Sequence, residues 1–207
     1  MAGSTSSRNR NGQYVRTRAM PIQPRTVAQI GVRTNQALNA AAWRGLTDAQ
    51  RAGWGDLGAS MTRSDSLGQN YTLTGFQAFC SVNNTLLHTG GTVLTASPAL
   101  VTPVGLTTMT ITLTAASFSV AFTATPLPAG AKLIIRTSPQ RSAGRTYESD
   151  FRTVFVSAAA AASPSNILAA FTAKFGAPVV GNKVFVSACV MLSGFESAHF
   201  LSSAIVA

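Results

Sequence analysis

Acidic residues are scarce in this chain, with only six Asp and Glu against sixteen Lys and Arg in 207 residues. Charged residues of both signs make up 11% of the sequence, well below the usual quarter for soluble domains. Two histidines and two cysteines complete a short supply of reactive groups. Two cysteines cannot form a disulfide framework or a zinc site by themselves. Both sit in apolar segments, FQAFCSV around Cys80 and FVSACVML around Cys189, and read as buried free thiols. No run approaches the roughly 20 apolar residues that span a bilayer, although hydrophobic residues reach 46%. The first residues lack an apolar h-region, so no Sec signal peptide is expected and synthesis is expected in the cytoplasm.

The motifs of common chemistries are missing as well. There is no G-x-S-x-G, no P-loop and no H-E-x-x-H. Glu148 and Asp150 lie in GRTYESDF among Arg141, Arg145 and Arg152, which reads as a surface ion-pair cluster and not an acid/base pair. Asp48 and Asp56 suit helix capping and solvation. His88 falls at a helix end, and His199 lies in a strand pattern with no neighbouring ligand types. No catalytic residue, cofactor or metal is therefore expected, and the chain does not read as an enzyme. The sequons at Asn70 and Asn83 are expected by chance in a chain rich in Asn and Thr.

What is present is ordered along the chain. Residues 1–25 form an extended basic arm. Within residues 1–33 stand Arg8, Arg10, Arg16, Arg18, Arg25 and Arg33, with no acidic residue. Such an arm suits three uses: neutralising phosphates of DNA or RNA, docking on a neighbouring subunit, or solvation as a disordered tail. Tyr14 and Val15 among the arginines favour docking.

A helical segment follows over 26–95. Three T-x-x-Q capping boxes, Thr26–Gln29, Thr47–Gln50 and Thr74–Gln77, announce helices over about Thr26–Arg44, Asp48–Ser60 and Gly75–His88. Val27, Ile30, Leu38, Ala41 and Ala42 form the apolar stripe expected on the first. Gly53 and Gly55 weaken the second, and a turn is expected at Arg63–Gln69. The third lacks Arg and Lys, which argues against a DNA-recognition helix. The two tryptophans, Trp43 and Trp54, flank the second capping box. With Arg44 and Arg51 nearby they could stack on bases. Their helical phases favour a packing joint between helices, shared with Leu57, Phe76 and Phe79.

Residues 96–105 read as a Pro-bearing linker, and 106–207 as a β domain. Alternating runs such as TTMTITLTA, FSVAFTAT, AKLIIRTS and KVFVSACVML are separated by Pro and Gly breaks. The fold class is α+β: an Arg-rich arm, three helices, then an antiparallel β-sandwich of immunoglobulin or fibronectin type III kind. One inserted helix is expected, with Ser163 as N-cap, Pro164 at N1 and Gly176 at its end, crossing from one sheet to the other.

The order Gly12-Gln-Tyr-Val-Arg-Thr-Arg18, Pro24-Arg-Thr-x-x-Gln29, Trp43-Arg-x-Leu-Thr-x-x-Gln-Arg-x-x-Trp54, Leu73-Thr-Gly-Phe-x-x-Phe79 and Asn83 resembles a family of mostly uncharacterised phage-like and metagenomic proteins. The resemblance covers residues 12–90, and more weakly PLPAGAKLIIRTSP and KFGAPVVGNKVFVSA. It implies a helical segment joined to a sandwich in a particle-associated protein, and it supplies no catalytic residues. The expectation is a self-assembling structural protein: a subunit of a virus or phage particle, a tail-like tube or an extracellular filament, its arm docked on neighbouring copies. The alternative is a nucleic-acid-binding coat or packaging protein. A carbohydrate- or receptor-binding module is a third class, disfavoured by the lack of an exposed aromatic cluster.

Overall fold

The computed structural model describes residues 3–9, 12–18, 23–123 and 125–207. They form two compact units, Met1–Thr34 and Asn35–Ala207. In the first, β1 (Ser4–Asn9) pairs antiparallel with β2 (Gly12–Thr17), from Ser4 opposite Thr17 to Asn9 opposite Gly12. Gly12 opens β2 with φ +115°, a conformation that L side chains rarely adopt. The expected extended arm is thus a ribbon folded back on itself. Its Ser, Thr and Arg positions lack the apolar alternation that marks a strand.

Helix α1 (Val27–Arg44) begins in this unit with its capping box in place: the Thr26 amide donates to Gln29 Oε1 and the Gln29 amide to Thr26 Oγ1, both at 3.3 Å. The expected apolar stripe does not line a core. Val27 is 88% exposed and Ile30 and Leu38 each 49%. The buried residue of α1 is Asn39, and Ala42 and Trp43 are partly buried. In the second unit, α1 contacts helix α3 (Gly75–His88) through amides. Asn39 Nδ2 donates to Asn84 Oδ1 at 2.8 Å, and Asn84 Nδ2 donates to Gln36 Oε1 at 3.3 Å. A periodicity of apolar residues cannot find a packing face built from Asn and Gln.

Helices α2 (Asp48–Ser60) and α3 start at boxes of both reciprocal bonds, Thr47 with Gln50 and Thr74 with Gln77. Between them the expected turn is a small hairpin, β3 (Thr62–Ser64) with β4 (Asn70–Thr72). Gly58 permits the close approach here: a Cβ at that position would lie 2.5 Å from the Leu73 carbonyl oxygen. Residues 91–107 then cross to the sheets without helix or strand.

The C-terminal elements are β5 (Thr108–Leu113), β6 (Phe118–Thr123), β7 (Lys132–Thr137), β8 (Arg152–Val156), β9 (Ser165–Asn166), α4 (Leu168–Phe175), β10 (Lys183–Leu192), β11 (Phe195–Glu196) and β12 (Phe200–Ile205). One antiparallel sheet has the order β5-β6-β9, and the other β11-β10-β7-β8 with β12 also on β10. Met109, Phe118, Val120 and Phe122 of the small sheet share one core with Leu133, Ile135, Val184 and Val186 of the large one. The α+β class with a C-terminal antiparallel sheet is as read from the sequence.

Three details differ. The inserted helix starts at Leu168, after Ser165–Asn166 has paired with β6. Ser163 is no N-cap, because its hydroxyl accepts the Phe122 amide at 2.9 Å. Asn166 Oδ1 instead accepts the Leu168 amide at 3.0 Å. Gly176 does end the helix, with φ +86°, and the chain does pass from the small sheet to the large one. The large sheet also packs its second face, through Ile134, Cys189 and Met191, against Leu86 of α3. Finally, the compact units divide at Thr34–Asn35 and not at the 96–105 segment, which lies inside the second unit. Among the described residues no helix is long and apolar enough to cross a membrane.

Candidate functional site

The ribbon places the arm's predicted residues on two faces, because side chains alternate along a strand. Its register puts Thr5, Ser7, Tyr14 and Arg16 on one face. The Arg18 amide continues the ladder by donating to the Gly3 carbonyl at 2.7 Å, which adds Arg18 to that face. Ser4, Ser6, Arg8, Gln13 and Val15 fall on the other. No described residue of the ribbon is buried. Arg10 lies outside the described residues. Arg25 and Arg33 follow the ribbon; Arg25 has φ +49° and Arg33 donates to Gln23 Oε1 at 2.9 Å.

The aromatic residues of the helices converge on Phe79. Trp43 meets it edge-on with ring centroids 5.3 Å apart and meets Phe76 at 5.5 Å; Trp54 meets Phe79 at 5.1 Å. Trp54 and Phe79 are fully buried, and Leu57 joins the same cluster. Trp54 offers no ring face to a base. Arg51 turns inward, donating to the Arg44 carbonyl at 3.1 Å at the C-terminus of α1. A guanidinium there satisfies carbonyls that helix geometry leaves unpaired.

The carboxylate cluster is less superficial than its sequence implies. The Glu148 side chain is only 2% exposed and pairs with Arg141, while Arg145 lies 3.5 Å away. The amides of Asp150 and Ser149 donate to Glu148 Oε1 at 3.0 and 2.9 Å. The Asp150 amide foremost, then Arg141, lowers its pKa to about 2. Asp150 pairs with Arg152 at 3.1 Å. Glu148 is thereby held as an anion and is a poor proton donor at neutral pH. Beside it, Tyr147, Phe151, Phe185 and Leu201 line a shallow groove of about 230 Å³, so aromatic residues do gather on the β domain.

A wider cleft lies where the helical segment meets the large sheet. It has a volume of about 590 Å³ and is lined by Arg63, Ser81, Thr85 and Thr102 on one side and by Phe195, Glu196 and His199 on the other. Strand pairing sets Glu196, one of its lining residues, beside a polar group of the large sheet. Arg136 is opposite Ser187, and Glu196 is opposite Met191, two residues from Cys189. Alternation therefore puts Arg136, Ser187, Cys189 and Glu196 on one face of the sheet. His199 closes the group from the segment before β12. Arg136 Nη2 reaches Glu196 Oε1 at 2.8 Å and Oε2 at 3.0 Å, and its Nη1 lies 3.2 Å from both His199 ring nitrogens. Glu196 Oε2 is 3.5 Å from His199 Nε2 and 3.8 Å from Cys189 Sγ. Ser187 Oγ lies 3.2 Å from His199 Nδ1.

His199 therefore does have ligand-type neighbours, contrary to the sequence reading. One donor atom each from Cys189, Glu196 and His199 lie within 4.8 Å of one another. The signal was C-x6-E-x2-H, whose members meet only because Ser193-Gly194 turns the chain back. Gly194 has φ +87°, and a Cβ there would lie 2.5 Å from Val82 Cγ1 of α3. Cys189 is fully buried, and burial first, with the Glu196 charge, raises its pKa to about 12. As a thiol it is a weak nucleophile. Cys80, by contrast, is half-buried and within 3.5 Å of Gln36 Nε2. No protein-family model matches this chain, and no curated protein matches it significantly.

Proposed function

We propose that the protein is a self-assembling structural subunit, of a virus or phage particle, a tail-like tube or an extracellular filament, joined to its neighbours through the N-terminal ribbon. The observation that carries this reading is the ribbon itself: two paired strands, none of whose described residues is buried. A lone two-stranded hairpin is marginally stable in water, and both its outer edges offer unpaired backbone groups to another chain. The large sheet is better protected. Its edge strand β8 has the Thr153 carbonyl occupied by Lys174 Nζ at 2.6 Å. The low charge content favours contact between copies over a dilute monomer.

Deleting residues 1–20 tests the reading. The truncated chain is expected to keep its circular dichroism and thermal transition while losing the particles or tubes that negative staining detects in the concentrated full-length protein. Assembly of the truncated chain to the same forms would refute it.

One observation favours a second reading, a coat or packaging protein that binds nucleic acid. Tyr14, Arg16 and Arg18 share a ribbon face, an aromatic ring beside two guanidiniums, within a stretch of sequence that holds no acidic residue. Such a face can stack on a base and neutralise flanking phosphates. Affinity for single-stranded DNA or RNA that falls steeply with salt, and disappears with the ribbon, would support it. Assembly that withstands nuclease and high salt would support the first.

A further inference from the structure

We propose that the groove between the β3–β4 hairpin and α3 binds a nucleotide, with the base against Tyr71 and Phe76 and the phosphate at Arg63. This site is independent of the ribbon. Arg63 and Tyr71 stand directly opposite each other in the hairpin, so their side chains leave the same face with Cβ atoms about 4.5–5.5 Å apart. Arg63 Nη2 donates to Ser81 Oγ of α3 at 3.3 Å, which turns that face toward the helix. The groove there has a volume of about 380 Å³, within the range of about 300–1,000 Å³ usual for small-molecule sites. Leu73 and Cys80 line it beside Tyr71 and Phe76. Tyr71 is 48% exposed and Phe76 36%, and Trp43 braces Phe76 at a centroid distance of 5.5 Å. Aromatic rings held at the surface of one groove offer a base a place to stack.

Charge and hydrogen-bonding capacity complete the site. No acidic residue lines the groove. Arg63 belongs to no ion pair among the described residues. Its side chain donates to a hydroxyl, which leaves most of the guanidinium N–H groups for an anion, and a phosphate takes two of them side by side. Gln77 Oε1 accepts the Thr74 amide at 2.9 Å in the capping box, so Nε2 is the end of that amide available to a base edge. Arg63 and Ser81 also line the wider cleft, where Thr62, Thr85 and Thr102 add hydroxyls. A ribose or the next phosphate of a strand suits that polar side. The cleft's carboxylate, Glu196, is neutralised by Arg136 at 2.8 Å. The same chemistry serves a free nucleotide or one unit of a single strand, and the net charge of +10 favours the approach of either.

Cys80 lines the groove and reports on its occupancy. The test is the rate at which uncharged N-ethylmaleimide alkylates Cys80 in the full-length protein, with adenosine 5′-monophosphate or a short single-stranded oligoadenylate added. At about ten times Kd the bound probe should slow the reaction about tenfold. Protection by the monomer assigns the groove to free nucleotide, and protection that needs the oligomer assigns it to a strand of nucleic acid; either supports the proposal. Arg63→Gln should weaken binding of the nucleotide about tenfold and leave that of adenosine unchanged, whereas Tyr71→Ala should weaken both. Both residues are exposed, so both variants should keep the fold. An unchanged Cys80 rate with either probe present, protection that inorganic phosphate alone reproduces, or protection that Arg63→Gln does not diminish would overturn the proposal.

Discussion

Trp54 donates its indole N–H to the carbonyl of Thr95 at 2.9 Å. One side chain thereby ties the middle of α2 to the segment that leads from the helices to the sheets, while its ring packs on Phe79.

Trp54→Ala should consequently cost about 3–5 kcal/mol, the range for removing a buried large aromatic side chain. Urea denaturation followed by far-ultraviolet circular dichroism measures it. Unchanged stability combined with lost nucleic-acid binding would instead make the tryptophan a stacking residue.

Two glycines of the same helix should respond oppositely to alanine. Gly58→Ala sets a methyl group against the Leu73 carbonyl, a backbone atom that cannot turn aside, and should destabilise by about 1–3 kcal/mol. Gly55→Ala meets nothing within 4 Å and should stabilise the helix by up to about 1 kcal/mol. Thermal melts of the two variants decide the matter by the sign of the shift.

Acid should reveal Glu148. Its folded pKa of about 2 lies below the ordinary 4.5, so it stabilises the fold fully above pH 4.5 and loses that contribution as pH falls toward 2. In Glu148→Gln this component of the acid transition should be missing. Denaturation midpoints measured across that pH interval would show it, and parallel curves for the two proteins would contradict it.

The two thiols should differ in reactivity. Cys80, half-buried, should react with Ellman's reagent in the native state, whereas Cys189 should react only after unfolding. Equal native rates would contradict the packing of the large sheet against α3.

The helices were legible where local chemistry sets them. Thr47 with Gln50 and Thr74 with Gln77 act within one turn, so the start of each helix is written in four adjacent residues. The face of α1 was not legible, because Asn39 is buried by pairing with Asn84, and amides look like surface in a sequence. Ser163-Pro164 misled for a related reason: a hydroxyl before proline suits a helix start, but this one serves the Phe122 amide of a strand distant in sequence. The Cys189–Glu196–His199 grouping depends on a strand turning back at Gly194 and on Arg136 arriving from β7. The glycine marks the turn locally, but the arrival of Arg136 from a distant strand leaves no such mark.

Strand β10 is buried from Val184 to Met191, with Val186 and Val190 toward the other sheet and Cys189 and Met191 toward α3. Each half of the second unit therefore roofs a surface that the other cannot leave bare. The helices are not a portable module: grafted elsewhere they would lose their floor, and the sheets without them would expose Ile134 and Met191. An insertion into either layer should therefore be felt in the other.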